Sequence, residues 1–261
     1  MIPRKQNTDQ AMWLESLAKI DAEYPTAQFE ALLAKTVKQI KKVCGKKKVA
    51  LAWSGGKDSL VLQKVCEQVG IDKSVLVISN LEYPSFLTWV AEYRPAGLEI
   101  INTGQDILWL EKNQKMLFPK EAAIASRWFH IVQHRGQSQY FKENNLKLLL
   151  LGRRKADGNY VGTKGENIYT NKQGITRYSP ISDWTHEDVL KAISYFQITL
   201  PPLYFCKDGF KIGTGPWPAR PYTGTVENGW QEVYDIEPGV VVAAAEHIEM
   251  ARFFLLGKGV L

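Results

Sequence analysis

Apolar positions along the chain follow two rhythms. Between Gln10 and Cys44 they recur at helical spacing, in two stretches separated near Tyr24-Pro25. In the second stretch Phe29, Leu32, Leu33, Val37 and Ile40 share one face, which predicts a helix lying against a sheet. From Val49 the pattern changes to short continuous apolar runs. The first ends at Gly55-Gly56 and leads into an amphipathic helix over Leu60–Val69. Ser74–Ser79, Leu98–Asn102, Lys147–Leu151 and Thr176–Ile181 read as further buried strands, with a helix over Lys120–Lys142 before the last two. The offset from Val49 to Val75 suits a strand–helix–strand crossover. The predicted fold class is therefore α/β: a doubly wound, mainly parallel sheet with helices on both faces.

Thr185 opens another helix reaching about Phe196, with Asp188 placed to complete a capping box. Beyond Ile198 the chain is rich in proline, glycine and aromatics, among them Phe205, Phe210, Trp217 and Tyr222, and a final helix is expected over about Val242–Leu256. The expected organisation is an N-terminal helical extension over 1–45, a nucleotide-binding domain over 46–200, and an irregular lobe with a C-terminal helix over 201–261 packed on the same domain.

Composition narrows the class. The 261 residues are 45% hydrophobic and 23% charged, as in a globular protein, and no apolar run approaches the roughly 20 residues a membrane span needs. The opening residues lead into no apolar segment, so no secretory signal is expected. The three cysteines, Cys44, Cys66 and Cys206, include no Cys-x-x-Cys pair. That argues against a disulfide framework, a structural zinc site or an iron–sulfur cluster, and a cytoplasmic setting is expected. The net charge of +6 favours polyanionic partners, nucleic acid among them. Its densest basic tract, Lys38 to Lys48, reads either as a solvated helix end or as a nucleic-acid footprint. A partner protein or a second copy of the chain is expected to dock through the N- or C-terminal helices.

Chemistry concentrates at the carboxyl ends of the predicted strands, where ligands of such sheets collect. Ser54-Gly55-Gly56-Lys57-Asp58-Ser59 joins strand to helix and has the makings of an anion cradle. Glycine backbone, a helix N-terminus, two hydroxyls and a lysine all favour bound phosphate. The spacing is not that of a Walker A loop. Asp58 is a candidate for Mg2+ contact, directly or through water, or equally a helix-capping residue. Gly152, Arg153, Arg154 and Lys155 follow another strand end. His130 and His134 stand four apart on a predicted helix, with no obvious third metal ligand.

These segments resemble known families. The Ser54–Ser59 loop is similar to that of the N-type ATP pyrophosphatases, the adenine nucleotide alpha-hydrolase superfamily. In order along the chain, Asn80-Leu81-Glu82-Tyr83-Pro84, Gly152-Arg153-Arg154, Ser179–Thr185, Leu200–Tyr204, Gly209–Gly213 and Arg220-Pro221 resemble elements of its phosphoadenosine phosphosulfate reductase branch. The resemblance implies an adenine nucleotide, either ATP or a sulfonucleotide, bound by Ser54, Gly55, Gly56, Lys57, Asp58, Ser59, Ser79, Asn80, Gly152 and Asp183. The backbone from Val77 to Glu82 would flank the base. Catalysis would fall to Lys57, Asp58, Arg153 and Arg154.

The chain departs from that pattern in its chemistry. Reductases of the family use a cysteine near the C-terminus, and no cysteine follows Cys206 here. Cluster-bearing members carry cysteines where this chain has Arg127-Trp128-Phe129 and Thr214-Gly215-Pro216-Trp217. Trp128, Phe129 and Trp217 are expected to pack together in the cluster's place. The expected activity is therefore at the alpha-phosphate of the nucleotide, by pyrophosphatase or adenylyl-transfer chemistry. A nucleotide-binding regulator with lapsed catalysis, and a reductase using Cys206, are the alternatives. The acceptor stays open between sulfate and a nucleic acid undergoing sulfur insertion.

Overall fold

A computed structural model describes residues 2, 5–163, 166–221 and 223–261, so Tyr222 lies outside the described residues. Six strands form one sheet: β1 (Val49–Ala52), β2 (Ser74–Ile78), β3 (Leu98–Asn102), β4 (Leu148–Leu151), β5 (Ile168–Thr170) and β6 (Thr176–Tyr178). The order is β3-β2-β1-β4-β6-β5, parallel except for β5, which pairs antiparallel with β6 at the edge. The central strands are buried on both sides, which is why they read as unbroken apolar runs. Leu148 and Leu150 enter one core cluster, while Leu149 and Leu151 enter the one on the opposite face.

The N-terminal helices, Gln10–Glu23 and Thr26–Cys44, are part of the larger core. Trp13 stacks on Phe210 with ring centroids 5.2 Å apart, and Phe29 meets Trp184 edge-on at 5.9 Å. The Tyr24 hydroxyl donates to Asp188, and Trp184 Nε1 donates to Thr36. The Thr185–Asp188 capping box forms as expected at the start of the helix His186–Tyr195. Thr185→Ala should lower stability by about 1 kcal/mol, read from the urea midpoint at unchanged slope.

Four expectations need correction. The segment 120–142 is not one α-helix, because a π-helical turn at His130–His134 separates Ala122–Phe129 from Arg135–Glu143. The final helix is likewise two shorter ones, Pro238–Ala245 and Glu249–Gly257, broken at Ile248 with ψ of 110°. A further helix, Val226–Ile236, precedes them and ends at Glu237, with ψ of 88°, because Pro238 cannot continue it. Strand β5 was not expected, being three residues long and at an edge. Trp128, Phe129 and Trp217 do not pack as one group. Trp128 meets Trp109, Trp217 meets Phe118 and Trp230, and Phe129 stays 52% exposed. Among the described residues no helix is long and apolar enough to cross a membrane.

Candidate functional site

The turn from β1 into the helix Lys57–Glu67 is held by its own hydroxyls. Ser59 Oγ donates to the Gly56 carbonyl at 2.8 Å and accepts from the Ser54 amide at 3.1 Å, and the Gly56 amide reaches Ser54 Oγ at 3.3 Å. Gly55 has φ +67°, and a Cβ there would lie 2.7 Å from the Phe86 ring, so glycine is required twice over. Gly56 has ordinary dihedrals, with φ −72°. A Cβ on it would instead enter the space between Ser54 Oγ, Tyr204 Oη and Thr214 Oγ1, at 3.1, 3.5 and 3.7 Å. That space is the candidate anion cradle.

The irregular lobe closes the cradle. The Lys57 amide donates to the Tyr204 hydroxyl at 2.7 Å, and Thr214 Oγ1 donates to the Ser54 carbonyl at 2.8 Å. Thr214 thus ties down the loop from the position where cluster-bearing relatives would be expected to carry cysteine. Tyr204, Thr214, Asp157 and Lys5 are site residues that sequence reasoning did not assign. The Pro-Leu-Tyr resemblance was the one available signal, and it pointed to Tyr204.

Two adjoining cavities open beyond the strand ends. The larger, about 510 Å³, is lined by Ser54, Gly56, Asp58, Ser59, Gly152 and Arg153 of the expected residues. The smaller, about 360 Å³, runs along Leu76, Val77, Ile78, Glu82 and Phe86. Burial pushes the Glu82 carboxyl up, against the Ser79 amide and hydroxyl that donate to it. Ser79 serves that turn. Asn80 is exposed and accepts from Asn102, and Asp183 is exposed and paired with Lys155 at 2.6 Å, so neither lines the two cavities. Lys41, Lys47 and Lys48 of the basic tract line a different cavity, at the opposite end of the sheet.

Lys57 and Arg154 lie behind the larger cavity, in a buried charge network. Lys57 Nζ is 2.6 Å from Asp58 Oδ2 and 3.7 Å from Asp157. Arg154, 0% exposed, places Nε 2.6 Å from Asp58 Oδ1 and Nη2 2.9 Å from Asp157. Its Nη1 donates to the carbonyls of Trp184 and Thr185, and its Nη2 lies 3.2 Å from His186 Nδ1. Burial alone would raise the Asp58 pKa, but the Lys57 and Arg154 charges outweigh it and hold the carboxyl well below the usual range. Both Asp58 oxygens are already engaged by cations. Among the described residues no group of three or more His, Cys, Asp or Glu is placed to hold a metal. This donor set does not fit a resident Mg2+.

Arg153 turns the other way. Its guanidinium reaches Tyr169 Oη at 3.2 Å and His134 Nε2 at 3.4 Å, and Arg177 Nη1 reaches the same imidazole nitrogen at 3.3 Å. His134 Nδ1 lies 3.2 Å from His130 Nδ1. An imidazole between two guanidiniums is a poor ligand for a divalent cation, so Arg153 and Arg177 make this a cationic wall in which the histidine pair forms no metal site.

The model of the phosphoadenosine phosphosulfate reductase domain matches residues 48–218. Phosphoadenylyl-sulfate reductase from Candida auris, in a phosphate complex, aligns at 17% identity over 68% of this chain and 90% of its own, with a TM-score of 0.48. The U34-tRNA thiolase NcsA from Methanococcus maripaludis, with its 4Fe–4S cluster, aligns at 17% identity over 84% of this chain and 81% of its own, with a TM-score of 0.46. No curated protein matches the chain.

Proposed function

Because the chain belongs to the phosphoadenosine phosphosulfate reductase domain family, we propose that it is an enzyme acting on ATP or a related adenine nucleotide at the alpha-phosphate. An acceptor oxygen, or water, would attack the alpha-phosphorus, and the bond to the bridging oxygen would break to release pyrophosphate. Such a centre needs charge stabilisation and positioning more than a protein nucleophile. The observation that carries the reading is the adjacency of the two cavities: a polar cradle at Ser54–Ser59 opens into an apolar slot along Val77, Ile78 and Phe86. The slot suits a purine ring and the cradle its phosphate chain. In this proposal Ser54, Gly55, Gly56 and Ser59 hold phosphate, Lys57, Asp58 and Arg154 keep the loop rigid, and Arg153 faces charge on the acceptor side. Mg2+ would enter complexed to the nucleotide, as part of the substrate.

Chemistry at phosphorus is preferred to chemistry at sulfur because no cysteine lines either cavity among the described residues. The Cys206 thiol contacts the Pro202 carbonyl at 3.8 Å, and burial raises its pKa, which disfavours the thiolate a reductase would need. A second reading, a nucleotide-binding regulator, is favoured by the locked ion pairs of Lys57 and Arg154, which leave neither charge free to follow a reaction.

Incubation with ATP and Mg2+ separates the two. An enzyme releases pyrophosphate. Gly56→Val, whose side chain would fill the cradle, should abolish release and weaken nucleotide binding at least about tenfold while leaving the far-ultraviolet spectrum unchanged. Tight ATP binding with no pyrophosphate, whichever acceptor is offered, would establish the regulator.

A further inference from the structure

We propose that Lys5 is the ammonium that binds the phosphate chain of the nucleotide, and that the loop lysine, Lys57, is a structural counter-ion. This rests on the nucleotide reading above. Lys57 is 1% exposed and lines neither cavity. Its amine is committed to Asp58 and Asp157 and lies 5.9 Å over the Trp13 ring. Lys5 lines both cavities at their junction, beside Ser54. No carboxylate among the described residues is at ion-pair distance from it, yet it lies in the field of Lys57, Asp58, Asp157 and Arg154.

The charge balance gives this position its meaning. Asp58 and Asp157 neutralise Lys57 and Arg154, so Lys5 is the surplus cation of the cluster and it faces the cleft. Burial and the Lys57 charge both lower its pKa. An oxyanion beside Lys5 would relieve that repulsion, so the cleft is electrostatically poised for one.

The segment carrying Lys5 is fastened at both ends. The Ile2 amide donates to Glu187 at 2.5 Å. Gln10 donates to the Tyr204 carbonyl at 2.6 Å and accepts from the Phe210 amide at 3.2 Å. Tyr204 in turn holds the Lys57 amide, so two hydrogen bonds through Tyr204 join this segment to the loop. A short 3-10 turn, Lys5–Asn7, lies between the anchors. All of it falls outside the matched residues 48–218, so this cation belongs to the chain's own N-terminal segment. The ligand class is a di- or triphosphate, with inorganic pyrophosphate as its minimal form.

The test is calorimetric titration of inorganic pyrophosphate and ATP into the wild-type chain, Lys5→Gln and Lys5→Arg, together with amine acetylation mapped by mass spectrometry. Lys5→Gln should weaken pyrophosphate binding about 10- to 100-fold, the worth of one charge-assisted hydrogen bond, and Lys5→Arg should restore most of it. Pyrophosphate should protect Lys5 of the wild type from acetylation, a readout that holds even if a variant fails to fold. Wild-type affinity in Lys5→Gln, or equal labelling of Lys5 with and without pyrophosphate, would overturn the assignment and leave the nucleotide reading standing. Wild-type protein that binds neither pyrophosphate nor ATP would sink both.

Discussion

Arg154→Met is expected to cost about 3–5 kcal/mol of stability, because it strips two buried carboxylates of their shared cation. Methionine can fill much of the space, so lost packing is the smaller part. The larger part is electrostatic. Asp58 would keep only Lys57, and Asp157 would keep only Lys57 at 3.7 Å, because the His186 imidazole 3.9 Å away is held neutral. Asp157 is already poorly served: Arg154 Nη2 lies 2.9 Å away, yet neither Asp157 oxygen has a well-aligned hydrogen bond. Distance sets the Coulomb attraction whatever the angle, so the ion pair still counts, but nothing stands in reserve when the guanidinium goes. The Trp184 and Thr185 carbonyls would also lose their donor. Urea unfolding should show the loss as a lower midpoint. Arg154→Lys, which keeps the charge but not the fork, should cost less, and Arg154→Met with Asp157→Asn should recover part of the deficit. A loss below about 1 kcal/mol for Arg154→Met would mean that the network is not the keystone of the loop.

The loop and its flanking elements were legible because local signals agreed there. Apolar Val49–Ala52, two glycines and a helix-forming run specify strand, turn and helix without outside help. The unbroken leucines of β4 likewise implied a strand covered on both faces. Other features were legible only in part. The spacing of Ala122–Phe129 and Arg135–Glu143 is helical throughout, and a π turn between them leaves no mark on a hydrophobic pattern. Arg153 and Arg154 read as a pair. Yet consecutive residues at a strand end point to opposite faces, so one joined Asp58 and the other joined His134. Lys5 was beyond sequence reasoning altogether. Its meaning depends on Gln10 meeting Tyr204, almost two hundred positions away, and no local rule encodes that contact.

Acid should unfold this protein in two stages, and the histidines govern the first. Burial, then the charges of Arg177, Arg153 and His130, push the His134 pKa down to about 4. Burial and Arg154 do the same for His186, to about 4, against the opposite pull of Asp157 and Asp58, with Lys57 adding to the depression. Each folded value lies below the ordinary histidine value near 6.5, so the unfolded chain binds the extra proton first. Stability is therefore fully present above about pH 6.5 and falls as pH drops toward 4, by at most about 1.4 kcal/mol per pH unit for each histidine. His186 is 4% exposed and should approach that limit. His134 is only half-buried, so water screens it and its share should be smaller. Below about pH 4 a second loss begins, because the depressed folded pKa of Asp58 means that the unfolded chain binds this proton first. The loss is complete only when folded Asp58 is itself protonated at still lower pH and its two cations are left unpaired. Urea midpoints between about pH 2 and pH 7.5 would expose both stages. His186→Gln should flatten the first stage more than His134→Gln does. Identical slopes in the wild type and both variants would show that these imidazoles are not held neutral by the fold.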